Sequence, residues 1–243
     1  MAGKYLKGAL VSFMPTFLGS LPNVIIFQFN PETITHTWTP AEATPPKAGG
    51  DPTAAAGAPG ETFSFKLSLD VGDMIADGDA NPVAALLATA SGVYTRLAAL
   101  EMLQYPADTS GGAGLLGTVA ASVSASSLSV SATVGGSTQN AKVPSSNVPM
   151  VLFVWGPQRI VPVRVTSLSI TEMLYDALLN PTHADVSITL RVLTIQELPG
   201  VQGELKQIAL VAYKYSQGLR QVQAIANLGD AAASIIGMLP TPF

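Results

Sequence analysis

The stretch ETFSFKLSLDV (61–71) decides the fold. Phe63, Phe65, Leu67 and Leu69 fall on one side of an extended chain, while Thr62, Ser64, Lys66, Ser68 and Asp70 fall on the other. A period of two held over this length predicts a β-strand with one buried face and one wet face. DVSITLRVLTIQEL (185–198) repeats the pattern, with Val186, Ile188, Leu190 and Val192 opposed to Ser187, Thr189, Arg191 and Leu193.

Shorter runs extend the strand inventory. LKGALVSF (6–13), NVIIFQFN (23–30) and MVLFVW (150–155) are apolar and rich in β-branched or aromatic residues, and Gly156-Pro157 makes a turn after the last of them. In RIVPVRVTSLSI (159–170), Val161, Val163 and Val165 share one parity before Leu168 and Ile170 take the other. A bulge near Thr166–Ser167 accounts for that change of face. Pro162 points to an edge position or a strand start. In IIFQFNPETITHTWTP (25–40), Asn30-Pro31 ends one strand rigidly before a Thr-rich run.

Two segments change period. In DANPVAALLATASGVYTRLAALEML (79–103), Asn81 is placed as N-cap and Pro82 as first helical residue; Val83, Leu86, Leu87, Ala90, Tyr94, Leu97 and Leu100 or Glu101 follow at helical spacing. Gly92 weakens the middle, so two shorter helices are an option. From residue 203 the chain reads as one or two helices ending near Gly237, with a stripe of Leu205, Ile208, Ala209, Ala212, Tyr215, Leu219, Val222 and Ile225. Low-complexity insertions occupy 40–60 and 108–147; within the second, SVSASSLSVSATV can form a weak hairpin or an edge that pairs only in an assembly. The resulting fold class is mainly β with α: an antiparallel barrel or sandwich with a flanking helix. Residues 1–200 form its β domain and residues 201–243 a helical extension.

Composition narrows the function. The chain has 243 residues, 48% of them hydrophobic and only 12% charged, against about 25% charged in an ordinary soluble domain. So little charge favours an assembly subunit that covers its surface with partners. A formal charge of −4 without a basic run argues against nucleic acid, which needs Lys and Arg to displace counterions. With no cysteine there is neither a disulfide framework nor a thiolate metal site. Lys4 and Lys7 precede an apolar run, but Pro15, Gly19 and Pro22 interrupt it, which argues against a signal peptide; no uninterrupted apolar stretch reaches membrane-spanning length.

No catalytic constellation can be assembled. His36 and His183 are read as exposed polar positions beside turns, and with scattered carboxylates they miss metal-ligand spacing. GGAGLLG (111–117) lacks the Gly-Lys-Ser/Thr ending of a phosphate loop. Asp73, Asp77 and Asp79 miss the spacing of a calcium loop and are read as residues of the turn leading into the helix. The chain is read as a non-enzyme with no cofactor and no metal.

Two segments taken together, FQFNPETITHTW and LFVWGPQRIVPVRVTSLSITEMLYDALLNPTHADVSITLRVLTIQEL, carry a resemblance. Over roughly residues 5–200 the chain resembles the tube-like domain of baseplate proteins from contractile injection systems, the phage-tail-like particles of bacteria. That resemblance implies a tail-tube-like β domain in a six-membered ring around a channel, acting as adaptor between the spike hub and the inner tube. Implied partners are further copies of the chain, the inner tube protein, the spike or hub, and baseplate wedge or sheath neighbours, with cytoplasmic assembly into a particle retained or released. An inner-tube or tube-terminator subunit shares the domain and stays open as an alternative, as does a monomeric β-sandwich binding module. For the last of these, Trp38 and Trp155 would have to be exposed, whereas their apolar strand contexts read as structural.

In the light of the resemblance, Asn30, Pro31, Glu32, Ser64, Lys66, Ser68, Ser187, Thr189 and Arg191 become candidate subunit-interface or channel-facing positions. An ordinary strand-ending turn and an ordinary wet sheet face explain the same residues. Two departures from the family stand out. His183 takes the place of an Arg, which puts any family salt bridge there in doubt, and the C-terminus shows no LysM-like pattern, so peptidoglycan binding does not carry over.

Overall fold

The alternation of 61–71 becomes β4, Gly60–Asp70, in which every odd residue from Glu61 to Leu69 is buried. The computed structural model describes residues 6–13, 22–41, 57–76, 82–105, 118–124, 127–133, 150–198 and 205–238. The other strands of the main sheet are β1 (Ala9–Phe13), β2 (Pro22–Ile26), β3 (Ile34–Thr39), β7 (Val151–Val154), β8 (Ile160–Tyr175) and β9 (Pro181–Val192). They form one seven-stranded antiparallel sheet in the order β2-β1-β7-β8-β9-β4-β3. The architecture is mainly β with helices, as expected; the sheet is open, with β2 and β3 as its edges.

The sheet is strongly rolled. β7 and β4 are separated by two strands in the hydrogen-bonded order, about 14 Å along a flat sheet. Yet the rings of Phe153 and Phe63 lie 5.3 Å apart, and those of Phe153 and Phe65 5.5 Å apart. Phe27 completes the contact from the β2 side, 5.6 Å from Phe65 and 6.3 Å from Trp155. The concave face is therefore the core, lined by alternate residues of β4, β8 and β9.

β8 contains the expected irregularity. Its register against β9 shifts between Val165 and Ser167, and the Thr166 hydroxyl donates to the Thr189 carbonyl. Inward residues change from Val163 and Val165 to Leu168 and Ile170 across this bulge, so both halves of a long strand face the core. Pro162 lies near the start of β8, in an inner strand. Its carbonyl accepts from Leu193 N–H just past the last β8–β9 pair, so the donor it lacks is missed only at the end of that ladder. A separate two-stranded sheet, β5 (Thr118–Ser124) with β6 (Ser127–Thr133), forms the hairpin foreseen in the second low-complexity stretch.

Helices α1 (Val71–Ala76), α2 (Pro82–Ser91) and α3 (Tyr94–Glu101) follow β4. Asp70 begins α1 by accepting the Asp73 N–H on its carboxylate. Asn81, Asp77 and Asp79 lie outside the described residues. The predicted helix is broken at Gly92, as allowed for; Leu97 and Leu100 of the predicted stripe face inward, but before the break the inward side differs. Ala88, Val93, Leu97, Leu100 and Leu103 are buried, whereas Leu86, Ala90 and Tyr94 are exposed. The break resets the helical phase, so a single stripe extrapolated through it selects wrong positions. Gly92 has φ +61°, and a Cβ built there would stand 2.2 Å from the Pro181 carbonyl oxygen, which accepts the Val93 N–H.

The last element, α4 (Leu205–Met238), is a single helix of 34 residues, about 51 Å long. It packs along β8, and Ser216 anchors it by donating to the Ile160 carbonyl and accepting from the Ile160 N–H. Ala209, Ala212, Tyr213 and Ser216 are buried, while Ile208, Tyr215, Val222 and Ile225 of the predicted stripe are exposed. The long apolar pattern combined two different faces of the helix.

Gly92→Ala places a methyl group against backbone at a left-handed position. It lowers folding stability by about 2–4 kcal/mol, read as an earlier midpoint in urea unfolding with unchanged slope.

Candidate functional site

Phe-Gln-Phe-Asn (27–30) fixes the chain between the two sheet edges. Phe27 continues the β1–β2 pairing by donating its N–H to the Gly8 carbonyl, and its ring enters the core. Gln28 is buried; its amide donates to the Asp70 carbonyl at 2.7 Å and to the Asp73 carboxylate at 3.2 Å, and its oxygen accepts the Asp70 N–H. Phe29 points outward, and Asn30 folds back over the chain ahead of β1. Its side chain accepts the Gly8 N–H and donates to the Leu6 carbonyl, both at 2.9 Å. Asn30 is thus a clamp on its own N-terminal segment, with Pro31 half-buried and Glu32 exposed behind it.

The other six candidates come together on the convex face. Strand register places Ser64 opposite Thr189, Lys66 opposite Ser187 and Thr62 opposite Arg191. The face continues onto β8 through Ser167, Ser169 and Thr171, and onto β3 through Thr35 and Thr37. Lys66 and Arg191 each have a partner, while Arg164 of β8 stands exposed opposite Arg191. Lys66 pairs with Asp185 at 2.7 Å, and this hydrogen bond holds the Asp185 carboxyl below its ordinary range. Arg191 pairs with Glu197, which also accepts the Thr194 N–H. Ser64 and Thr189 share a hydroxyl contact at 3.2 Å. Burial pushes Asp70 up, but hydrogen bonds from His183 and from the backbone N–H groups of Asp73 and Gly72 outweigh it and hold the carboxyl low. The result is a sheet face of hydroxyls with short-range internal ion pairs.

Both histidines depart from expectation. His183 is not beside a turn in the open; it lies half-buried within β9, with Asp70 at 3.3 Å and Asp185 at 3.9 Å. His36 faces inward from β3, stacked on Phe63 at 4.1 Å and against Trp38 at 3.5 Å. Its Nε2 lies 2.6 Å from Glu61, a carboxylate only 5% exposed. Arg220 of α4 grips the same carboxylate with both terminal nitrogens, so the pair joins helix to sheet. Trp38 is half exposed rather than buried, standing at the rim of a cavity of about 370 Å³ that Glu61, Tyr213, Gln217 and Arg220 also line. A signal for this cluster was present in the sequence. Glu61 has the parity of Phe63 and Phe65, and a carboxylate on a core face needs a buried partner.

Among the described residues, no group of three or more His, Cys, Asp or Glu side chains is placed to hold a metal ion. No helix described is long and apolar enough to cross a membrane. No protein-family model matches the sequence, and no curated protein matches it.

Burial pushes the His36 imidazole below its ordinary value of 6.5; the Glu61 charge opposes this but is already shared with Arg220. Folded chains therefore hold the neutral ring, and unfolded chains take up a proton first as pH falls. Stability is full above about pH 6.5 and declines below it, ahead of the carboxylate contributions from Asp70 and Asp185 near pH 4. The urea midpoint of the wild-type chain drops between about pH 7 and 5.5, and His36→Gln flattens that drop.

Proposed function

We propose that the chain is a structural subunit of a contractile injection system, forming a baseplate or tube-adaptor ring that links the spike hub to the inner tube. The observation that carries this reading is a rolled seven-stranded sheet whose two edges are unpaired among the described residues, with a convex face of hydroxyls. Edge β3, ITHTWT, pairs with β4 in unbroken register and contains no Lys, no Pro and no bulge, the usual devices that keep an edge from adding strands. An edge left so open suits a neighbouring copy that continues the sheet, and repetition of one such head-to-tail contact closes a ring.

The hydroxyl face fits the same role. Ser64, Ser68, Ser187 and Thr189 hydrate well, and Lys66 is paired with Asp185 and Arg191 with Glu197, as suits a lining past which a tube component slides or against which a seam packs. The function is mechanical: the ring provides a template for stacking of the inner tube and transmits contraction to the spike. Assembly takes place in the cytoplasm, with further copies of the chain, tube, hub and sheath-side proteins as partners.

Native mass of the purified chain, together with its copy number in particles isolated from the host, tests the proposal. The expected result is a ring of about six copies of the 25.0 kDa chain at low abundance per particle. Hundreds of copies per particle would reassign it to the tube. A monomer absent from every particle would overturn the assignment in favour of a free binding module.

A further inference from the structure

One apolar surface of the described molecule is not used by the fold. On α4, Ile208, Val211, Tyr215, Val222 and Ile225 are all exposed, with Val211, Val222 and Ile225 at 65%, 63% and 66%. Gly218 completes the series, so the positions recur at steps of three, four, three, four and three. This alternation of threes and fours is the spacing of a seam that can face another helix. The face by which α4 lies on its own sheet is a different one, built from Ala209, Ala212, Tyr213 and Ser216. In sequence the same spacing runs on through Gly229, Ala232 and Ile236.

Two further observations define the occupant. A Cβ built on Gly218 meets nothing within 4 Å, so no packing in the single chain requires a glycine there, although it costs a helix about 1 kcal/mol relative to alanine. A glycine on the seam lets a second backbone approach closely. The positions flanking the seam, Gln207, Ala212, Lys214, Leu219, Gln221, Ala226 and the exposed Leu228, carry one charge between them. Flanking charges are what select a partner of different sequence. Their near absence leaves nothing to attract a charged helix and only Lys214 to repel an identical one.

We infer that α4 pairs through this seam with α4 of a second copy of the chain. Residues 221–228 are exposed throughout, and a helical segment so poor in contacts with its own body is marginal until another helix covers it. The inference stands apart from the ring proposed above, which rests on the sheet.

The lack of cysteine allows a direct test in the full chain. Val222 lies at the middle of α4, so parallel and antiparallel overlap both bring it opposite its own copy. Under mild oxidation Val222→Cys is expected to give a disulfide-linked dimer, and Asn227→Cys, on the far side of the helix, is not. In sedimentation, Val222→Lys with Ile225→Lys is expected to lower the mass of the associated species by half or more. Ala224→Lys with Asn227→Lys serves as the off-seam control and is expected to leave the mass unchanged. A wild-type chain that stays monomeric at about 100 μM, a concentration at which a helix pair of micromolar affinity is associated, would overturn the inference. So would cross-linking of the Val222→Cys chain no greater than that of the Asn227→Cys control, or a mass insensitive to the seam lysines. In the last case a surviving ring would leave the sheet-based proposal standing.

Discussion

A sheet of seven strands has two faces, and this chain has apolar side chains enough for one. Curling resolves the mismatch: Phe63 and Phe65 from β4 meet Phe153 from β7 across the inside of the roll, with Phe27 and Trp155 beside them. Each such aromatic contact contributes about 0.5–1.5 kcal/mol beyond the area it buries. The rest of the structure is arranged around that contact. Gln28 ties the segment after β2 to the end of β4, α3 buries Leu97 and Leu100 against the same core, and the bulge at Thr166 keeps β8 facing inward along its length.

The roll also explains why α4 needs polar anchors. Once the core is filled from inside, the helix lies against the sheet through Tyr213 and two small residues, Ala209 and Ala212, which add little apolar area. Directional contacts hold it in place instead: Ser216 on both backbone groups of Ile160, and Arg220 on Glu61. Glu61 has His36 beside it in the sheet but gains its bidentate cationic partner from α4, which couples docking of the helix to the first residues of β4. Beyond Arg220 no comparable anchor follows among the described residues except the Gln223–Gln158 amide contact.

Strand periodicity was legible because it is a local property. β4 and β9 could be read from their alternation, and the change of parity after Val165 located the bulge. The pairing of outer-face residues was half legible: Ser64, Lys66, Ser187 and Thr189 were assigned to wet faces, but nothing in one sequence says that those faces adjoin. What could not be read depended on distant partners. His36 looked like an exposed turn residue because its partners, Glu61 and Arg220, lie 25 and 184 positions further along. Gln28, between two phenylalanines, gave no sign that it would bridge to Asp70. The helical stripe after residue 203 merged two faces because periods of 3.5 and 3.6 separate only slowly with length.

The strand order has a consequence for how the chain reaches its native state. β7, β8 and β9 are consecutive hairpins, but β1 pairs with β7 across about 140 residues and β4 with β9 across more than 110. Closing such loops is entropically costly, so the local meander is the natural nucleus and the N-terminal strands dock late. During synthesis the β1–β2 and β3–β4 pairs emerge before β7 and β9, the strands that will receive β1 and β4. Alternating segments such as ETFSFKLSLDV must then wait in solution with their edges open, and the interval before β9 is complete is when this protein is most exposed to aggregation.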